Sequence, residues 1–470
     1  MRRALFYFHT LLDTSSLLPV FRELQKTGEF EIAFVIHPYD SEQNLGLPPG
    51  EAKLLHQQGV DVIQDPQKWE PDITFISDLK ATFLTGSGKT IYITRSLSSK
   101  GRFSPVSSKL HKYNTFDMVC VPGNFYKNRL ANSGKVYTKV ISTGFTPLDS
   151  IFSPGYLSRE EIIHQAGLDP HKKIVLYAPT HDMEYSAASI LWTRIGVLAN
   201  DNTILFIKLH PNTPSIIKRA ITHAFQHHPN IKTIDNFDLH PYLRVADVIV
   251  SDVSSAWLEF LALDKPVVLF DNPNKVMHEG YDERDAEFVC RDALIVATNL
   301  EEVIDGVRRS LAFPGEFSGK RQKYISGFIH ETDGQSARRI IDAALTLDVA
   351  APYPVTTENN LDTSKKQLTT RQREYAEKRV RELSDSIGGI LRSVTPKTNQ
   401  SNQILQINTG SASYHPENGN LRLAMHYEKR GKLDEAKKQV GIALRNNPDN
   451  PVAVEFAAHL GMLAAEKEPV

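Results

Sequence analysis

Residues 246–272 read ADVIVSDVSSAWLEFLALDKPVVLFDN, and the architecture of the chain follows from them. Asp247 to Val250 is a short, continuously apolar, β-branched run bounded by polar residues, the pattern of a strand buried on both faces. Ser251 to Ser255 form a polar turn, Trp257 to Leu263 read as a helix starting at Ser254 or Ser255, and Pro266 to Phe270 read as a second buried strand. A strand–turn–helix–strand unit of this kind belongs to a parallel α/β sheet. The exposed N–H groups and positive end of the helix make a seat for phosphate. Ser254 and Ser255 add hydroxyl donors, and Asp252 beside them is placed to take a hydroxyl or to orient the serines. A plainer role is also open, because Asp and Ser routinely cap helices.

Working outward, two series of short apolar strands alternate with helix-length segments. The first comprises Leu5–Phe8, Ile32–Ile36, Val60–Ile63, Ile73–Ile76, Ile91–Thr94, Met118–Val121 and Val140–Ser142. The second comprises Ile174–Ala178, Ile204–Leu209, Ile231–Ile234, Val248–Val250, Val267–Phe270 and Leu294–Val296. The turn-rich GFTPLDSIFSPG at 144–155 separates them. The expected fold is α/β: two doubly wound parallel-sheet domains facing a cleft, residues 1–148 and 149–347. Ligands of such sheets bind at the carboxyl ends of strands. The TGSGKT at 85–90 is a decoy, since Phe83 stands where a phosphate loop needs glycine and Ile91–Thr94 reads as a strand rather than a helix.

Residues 348–415 read as a linker carrying an amphipathic helix at about 368–394, in which Tyr375, Val380, Leu383, Ile387 and Leu391 share one face. That helix suits either a membrane surface or packing on its own protein. Residues 416–466 resemble a tetratricopeptide repeat, with Leu423, Ala424, Tyr427, Gly431, Ala436, Ala443 and Pro448 at the spacing of a helix–turn–helix unit. A lone repeat cannot bury its face, so it is expected to pack on the body of the chain, on another copy in self-association, or on a protein partner.

With 54 basic against 55 acidic residues there is no excess of positive charge for nucleic acid. Two cysteines, Cys120 and Cys290, each in apolar context, fit buried thiols of a reduced cytoplasmic protein. No apolar run approaches the roughly 18 residues of a membrane span. The N-terminal MRRALFYFHTLLDTSSLLPVF is broken by His9, Asp13 and serines, and reads as a strand and helix rather than a secretory signal.

Three successive strand-end loops carry the chemistry: YAPTHD at 177–182, KLHPN at 208–212 and the Asp252–Ser255 turn. They present Thr180, His181, Asp182, Lys208, His210, Ser254 and Ser255, groups suited to a phosphate or leaving pyrophosphate. The same three loops, in this order and at similar spacing, resemble the YAPT, HP and DYSS segments of the CDP-glycerol glycerophosphotransferase family of teichoic-acid primases and polymerases. The likeness runs from about 115 to 345, ending in DGQSARRIIDAAL at 333–345. It implies a GT-B-like transferase that takes a CDP-activated glycerol or other alditol donor and a lipid-linked or polymer acceptor. It further implies that His210 contacts the donor phosphates, and that Ser254, Ser255, Asp252, Thr180 and Lys208 hold them. No D-x-D motif occurs in the sequence, and neither a metal nor a cofactor is expected. A cytoplasmic location, peripheral on the inner face of the cell membrane, goes with it.

One departure is consequential. Where the family has a histidine–glycine loop whose histidine is the proposed base, this chain has ITRSLSSKG at 93–101, with Arg95 in place of histidine and Ser96 in place of glycine. Arginine stays protonated and cannot act as a base. It can bind phosphate bidentately, so Arg95 joins His210 as a candidate catalytic residue, and His9 at the end of the first strand is a candidate base. Two other readings stand beside the transferase: a nucleotide-sugar transferase or 2-epimerase on the same fold, for which Glu259 is the only glutamate near the turn, and a non-catalytic scaffold.

Overall fold

The computed structural model describes residues 1–38, 46–47, 49–80, 88–98, 100–104, 107–153, 156–182, 185–235, 238–273, 275, 281–347, 433–446 and 457. Both sheets lie in one compact unit formed by Met1–Ala187, Ile195–Thr213 and Phe225–Pro352. A second unit takes in Ala188–Arg194, Pro214–Ala224 and the chain beyond Pro352, of which the helix Leu433–Asn446 is described. The expected amphipathic helix at 368–394 lies outside the described residues, as does most of the repeat-like stretch at 416–466.

The first sheet holds β1 (Arg2–Phe8), β2 (Phe30–Ile36), β3 (Asp61–Val62), β4 (Ile73–Ile76), β5 (Lys89–Ile93), β6 (Met118–Val121) and β7 (Lys139–Ser142), in the order β3-β2-β1-β4-β5-β6-β7. The second holds β8 (Lys173–Tyr177), β9 (Thr203–Ile207), β10 (Ile231–Thr233), β11 (Val248–Ser251), β12 (Val267–Phe270) and β13 (Ile295–Ala297), in the order β10-β9-β8-β11-β12-β13. Every pairing is parallel. The fold is therefore the expected pair of doubly wound parallel-sheet halves. Strand order reverses between β1 and β4 in one sheet and between β8 and β11 in the other, the positions where such sheets open a crevice. The strand at Lys89 confirms that the TGSGKT stretch leads into sheet, not helix.

Burial explains the legibility of these strands. All residues of β9, β11 and β12 are buried, so each reads as an unbroken apolar run. In the first core, Phe6 stacks on Phe75 at 4.8 Å and meets Phe21 edge-on at 5.9 Å. Phe21 lies on the helix Leu12–Thr27, which covers one face of the sheet. Each such ring contributes roughly 1.5–3 kcal/mol by leaving water.

The helix Ser336–Leu345 follows the second sheet in sequence but packs in the first core, where Ala337, Ile340, Ile341 and Ala344 join Phe8 and Leu17. Asp149 fastens its start, accepting the N–H groups of Ser336 (3.1 Å) and Ala337 (2.7 Å). Gly144 makes room for this return: its φ is +93°, and a Cβ there would lie 2.3 Å from Ser336 Oγ. No helix among the described residues is long and apolar enough to cross a membrane.

Candidate active site

On the second sheet, the site begins with a brace. Asp252, fully buried after β11, accepts the N–H of Thr180 at 2.8 Å and of Ala187 at 2.5 Å. Ser251 Oγ donates to Ala178 O at 2.6 Å, tying the same two loops together. Burial pushes the Asp252 carboxyl up to about 6, against the pull of its two backbone donors. This differs from the expectation of a phosphate ligand: the carboxylate turns into the protein and aligns the loop after β8 with the turn after β11. Thr180 is likewise 3% exposed, its Oγ1 receiving Lys100 Nζ at 3.3 Å. Neither residue lines the cavity described next.

That cavity is bounded from the second sheet by Lys208, His210, Ser254 and Ser255. From the first sheet it is bounded by Arg95, Phe145 and Pro147, with Leu12 and Ser15 from the adjoining helix. The Asn212 N–H donates to His210 Nδ1 at 3.0 Å, which places the proton of the neutral ring on Nε2. The His210 ring also lies 4.4 Å from that of His181. The helix after the turn spans Ala256–Leu261, shorter than the expected Trp257–Leu263. Its cap residue, Ser255, makes no side-chain cap hydrogen bond, while Ser254 Oγ accepts the Ala256 N–H at 3.3 Å. Ser254 thus does part of the capping work that the sequence left open.

Arg95, at the end of β5, is drawn into its own half. Its Nη1 donates to Asp13 Oδ1 (2.8 Å), Thr10 Oγ1 (3.0 Å) and Asp78 Oδ2 (3.3 Å). Burial alone would lower the guanidinium pKa, but the two carboxylates outweigh it and hold Arg95 firmly charged. Asp13 is saturated, also accepting the N–H groups of His9 and Thr10 and the Ser77 hydroxyl. Asp78 Oδ2 meets His9 Nδ1 at 2.7 Å. Burial favours a protonated Asp78, yet the His9 hydrogen bond and the Arg95 charge hold it well below the usual carboxylate range. The expected site residues thus form two groups: Lys208, His210, Ser254, Ser255 and Arg95 around the cavity, and His9 behind Arg95 on a shared carboxylate.

Sequence reasoning missed a charged triad on the same cavity wall. His240 Nδ1 lies 2.8 Å from Asp238 Oδ1, and its Nε2 lies 3.3 Å from Glu259 Oε2. Burial would depress the imidazole, but both carboxylates outweigh it and push its pKa up to about 9. The available signal was the Asp-x-His step before the helix His240–Val245, which nothing in the sequence connected to Glu259. A further contact joins the two halves: Lys100 N and Gly101 N donate to Glu287 (2.9 Å) and Asp285 (2.8 Å), and Arg129 pairs with Asp285 at 2.6 Å.

The family model described as CDP-Glycerol:Poly(glycerophosphate) glycerophosphotransferase matches residues 90–346, more than half of the chain, and all three donor-side loops fall within it. The chain belongs to this glycerophosphotransferase family. Among curated proteins, the teichoic acid glycerol-phosphate primase of Bacillus subtilis (strain 168) is 26% identical over 161 residues, covering 34% of this chain and 40% of that protein. The teichoic acid ribitol-phosphate polymerase TarL of Staphylococcus aureus (strain NCTC 8325 / PS 47) is 24% identical over 280 residues, 54% and 45% of the two chains. The chain thus matches less than half the length of either relative. A solved structure of the wall teichoic acid polymerase TagF with CDPG shares the fold at a TM-score of 0.55 and 14% identity, covering 73% of this chain and 88% of that one. A UDP-GlcNAc 2-epimerase from Neisseria meningitidis bound to UDP-GlcNAc does so at 0.52 and 16%, covering 73% and 100%. At these identities the structural likeness is one of fold, and the two curated relatives are named for different alditol phosphates, glycerol phosphate and ribitol phosphate.

Proposed function

We propose that this chain transfers glycerol phosphate, or another alditol phosphate, from a CDP-activated donor to a hydroxyl acceptor in the synthesis of a wall polymer, releasing CMP. The observation that carries this reading is the convergence of Lys208, His210, Ser254 and Ser255 on one cavity wall at strand ends of the second sheet. An ammonium, an imidazole Nε2–H and two hydroxyls suit the charge that develops as a pyrophosphate linkage breaks. The acceptor oxygen bonds to the phosphorus bearing the alditol, the bond from that phosphorus to the bridging oxygen breaks, and CMP leaves with the electron pair. Charge stabilisation comes from side chains, so turnover persists in EDTA. The acceptor is lipid-linked or polymeric and reaches the cavity from the side of the first sheet.

Ligand-dependent thermal stabilisation tests the donor assignment, since a ligand raises stability according to its affinity. CDP and CMP should raise the melting temperature more than UDP or GDP at equal concentration. An equal response to all four, or a preference for UDP with GlcNAc attached, transfers the chain to the sugar-nucleotide reading. Cytidine binding without CMP release under any acceptor supports a binding subunit instead.

A further inference from the structure

We infer that Lys109, Lys112, Lys135 and Lys139, with Tyr137 among them, form a docking face for an anionic lipid surface. This face is independent of the transferase reading and lies at the amino-terminal end of the first sheet, away from the cavity.

The near-zero net charge of the chain hides a segregation. Residues 79–148 carry eleven lysines and arginines and a single acidic residue, Asp117. A local excess of this size is either paired from elsewhere in the fold or presented to an anionic partner. Part of it is paired: Arg95 is held by Asp13 and Asp78, and Arg129 by Asp282 and Asp285. Asp117 turns inward. Its Oδ1 lies 3.3 Å from Lys89 Nζ, and its Oδ2 accepts the N–H and the hydroxyl of Thr90 at 2.7 and 2.8 Å. The one carboxylate of the stretch is therefore engaged within the sheet.

The approaches to β6 and β7 bring the four lysines together. The short 3-10 helix Leu110–Thr115, which Lys109 precedes and Lys112 belongs to, leads into β6, and the loop 132–138 leads into β7, which opens on Lys139. Asn114 ties the two approaches, its Nδ2 donating to Lys135 O at 2.8 Å and its Oδ1 accepting the Tyr137 N–H at 2.7 Å. Thr138 Oγ1 donates to Phe116 O at 2.6 Å, and Lys139 stands opposite Met118 in the strand register. Lys109, Lys135 and Lys139 are exposed, and Lys112 is half-buried. Tyr137 on the same loop is 82% exposed, its hydroxyl donating to Gly134 O at 3.0 Å, which pins the ring at the loop tip.

The composition of the face selects the partner. β7 closes one edge of the sheet, where a single lysine would suffice to blunt pairing with another chain. Four lysines around an exposed aromatic ring exceed that need. The planar fork of arginine grips a discrete phosphate, whereas lysine is a point charge on a flexible stem, suited to a diffuse anionic surface. Tyrosine, apolar in the ring and polar at the tip, is a residue of membrane interfaces. The cavity lies at the carboxyl ends of strands and this face at the amino ends of β6 and β7, so a surface docked here leaves the cavity uncovered.

Co-sedimentation of the full chain with phosphatidylcholine vesicles, with and without phosphatidylglycerol, tests this at about 0.1 M and about 1 M salt. The wild-type protein should bind the phosphatidylglycerol vesicles at low salt and leave them at high salt. Each lysine near such a surface strengthens binding roughly fivefold. The quadruple variant Lys109→Gln, Lys112→Gln, Lys135→Gln, Lys139→Gln should therefore bind at least about 100-fold more weakly. Tyr137→Ser should weaken binding as well. A charge-matched control, Lys26→Gln, Lys53→Gln, Lys68→Gln, Lys232→Gln, changes exposed lysines on other elements and should stay within about tenfold of wild type. Should the patch variant fail to melt cooperatively, the pairs Lys109→Gln, Lys112→Gln and Lys135→Gln, Lys139→Gln carry the test, each with a loss of roughly 25-fold. A wild-type protein that ignores phosphatidylglycerol, or equal losses in the patch and control variants, overturns the face. Undiminished binding by the patch variant also overturns it and puts lipid contact elsewhere in the chain. Displacement from vesicles by inorganic polyphosphate, with no effect of Tyr137→Ser, would make the patch a track for a soluble polyanion and overturn the lipid assignment.

Discussion

Arg95 Nη1 lies 2.8 Å from Oδ1 of Asp13, a carboxylate with no exposure to solvent. The cation is thus the internal counter-charge of Asp13 and Asp78 before it is anything to a ligand. Breaking a buried pair from one side leaves an uncompensated charge and costs about 3–5 kcal/mol. Arg95→Ala should lower unfolding stability by that order in urea denaturation. Arg95→His should give no gain in activity, because the imidazole would lack the reach to serve both carboxylates. Stability unchanged within about 1 kcal/mol in Arg95→Ala would make the guanidinium a ligand group rather than a structural one.

On the donor side, His210→Ala and the double variant Ser254→Ala, Ser255→Ala should each lower kcat by roughly 100- to 1,000-fold, the range for removing a preorganised donor. Folding should persist, because these groups face a cavity. The paired measurement is CMP release beside the thermal melt of the unliganded protein. Normal release would move the donor site elsewhere.

Asp252 should behave in the opposite way. Asp252→Ala leaves the N–H groups of Thr180 and Ala187 without an acceptor, at about 1–3 kcal/mol each. Loss of stability should therefore come first, and loss of activity should track it. Asp252→Asn keeps one carbonyl acceptor and should fall between. A stable but inactive Asp252→Ala would return this residue to the ligand side.

His240 supplies a pH signature. Its folded pKa of about 9 stands above the ordinary value of 6.5, so the folded state holds its proton more tightly than the unfolded chain. The stabilisation is complete below about pH 6.5 and is lost as pH rises through 9. Melting temperature should fall across that window in the wild-type protein, and His240→Asn should flatten the fall. Identical slopes would show that the Asp238–His240–Glu259 contact does not persist in solution.

Strands β8, β9, β11 and β12 were legible because parallel strands covered on both faces leave continuous apolar runs, whereas β10, at the edge of its sheet, buries only Ile231. The donor loops were legible because each follows such a strand and presents a proline-marked or serine-rich turn. What the sequence withheld was direction. Nothing in SDVSS says that Asp252 turns inward while its serine neighbours reach a cavity. Nothing in ITRSL says that Arg95 will find partners 85, 82 and 17 residues away at Thr10, Asp13 and Asp78. The triad was hidden for the same reason, since Glu259 meets His240 only once two helices have packed.

The return of the helix Ser336–Leu345 to the first core sets the order in which the protein can be made. When Ser142 has emerged from the ribosome, all seven strands of the first sheet exist, but the face that Ile340 and Ile341 will cover is bare. At about 5–20 residues per second, the covering helix arrives roughly 10 to 40 s later. Through that interval the nascent N-terminal half carries an open apolar surface and has reason to engage a chaperone. Its final locking waits on Asp149 catching the first turn of the last helix, so a chain stopped before residue 336 would hold a complete first sheet with an incomplete core.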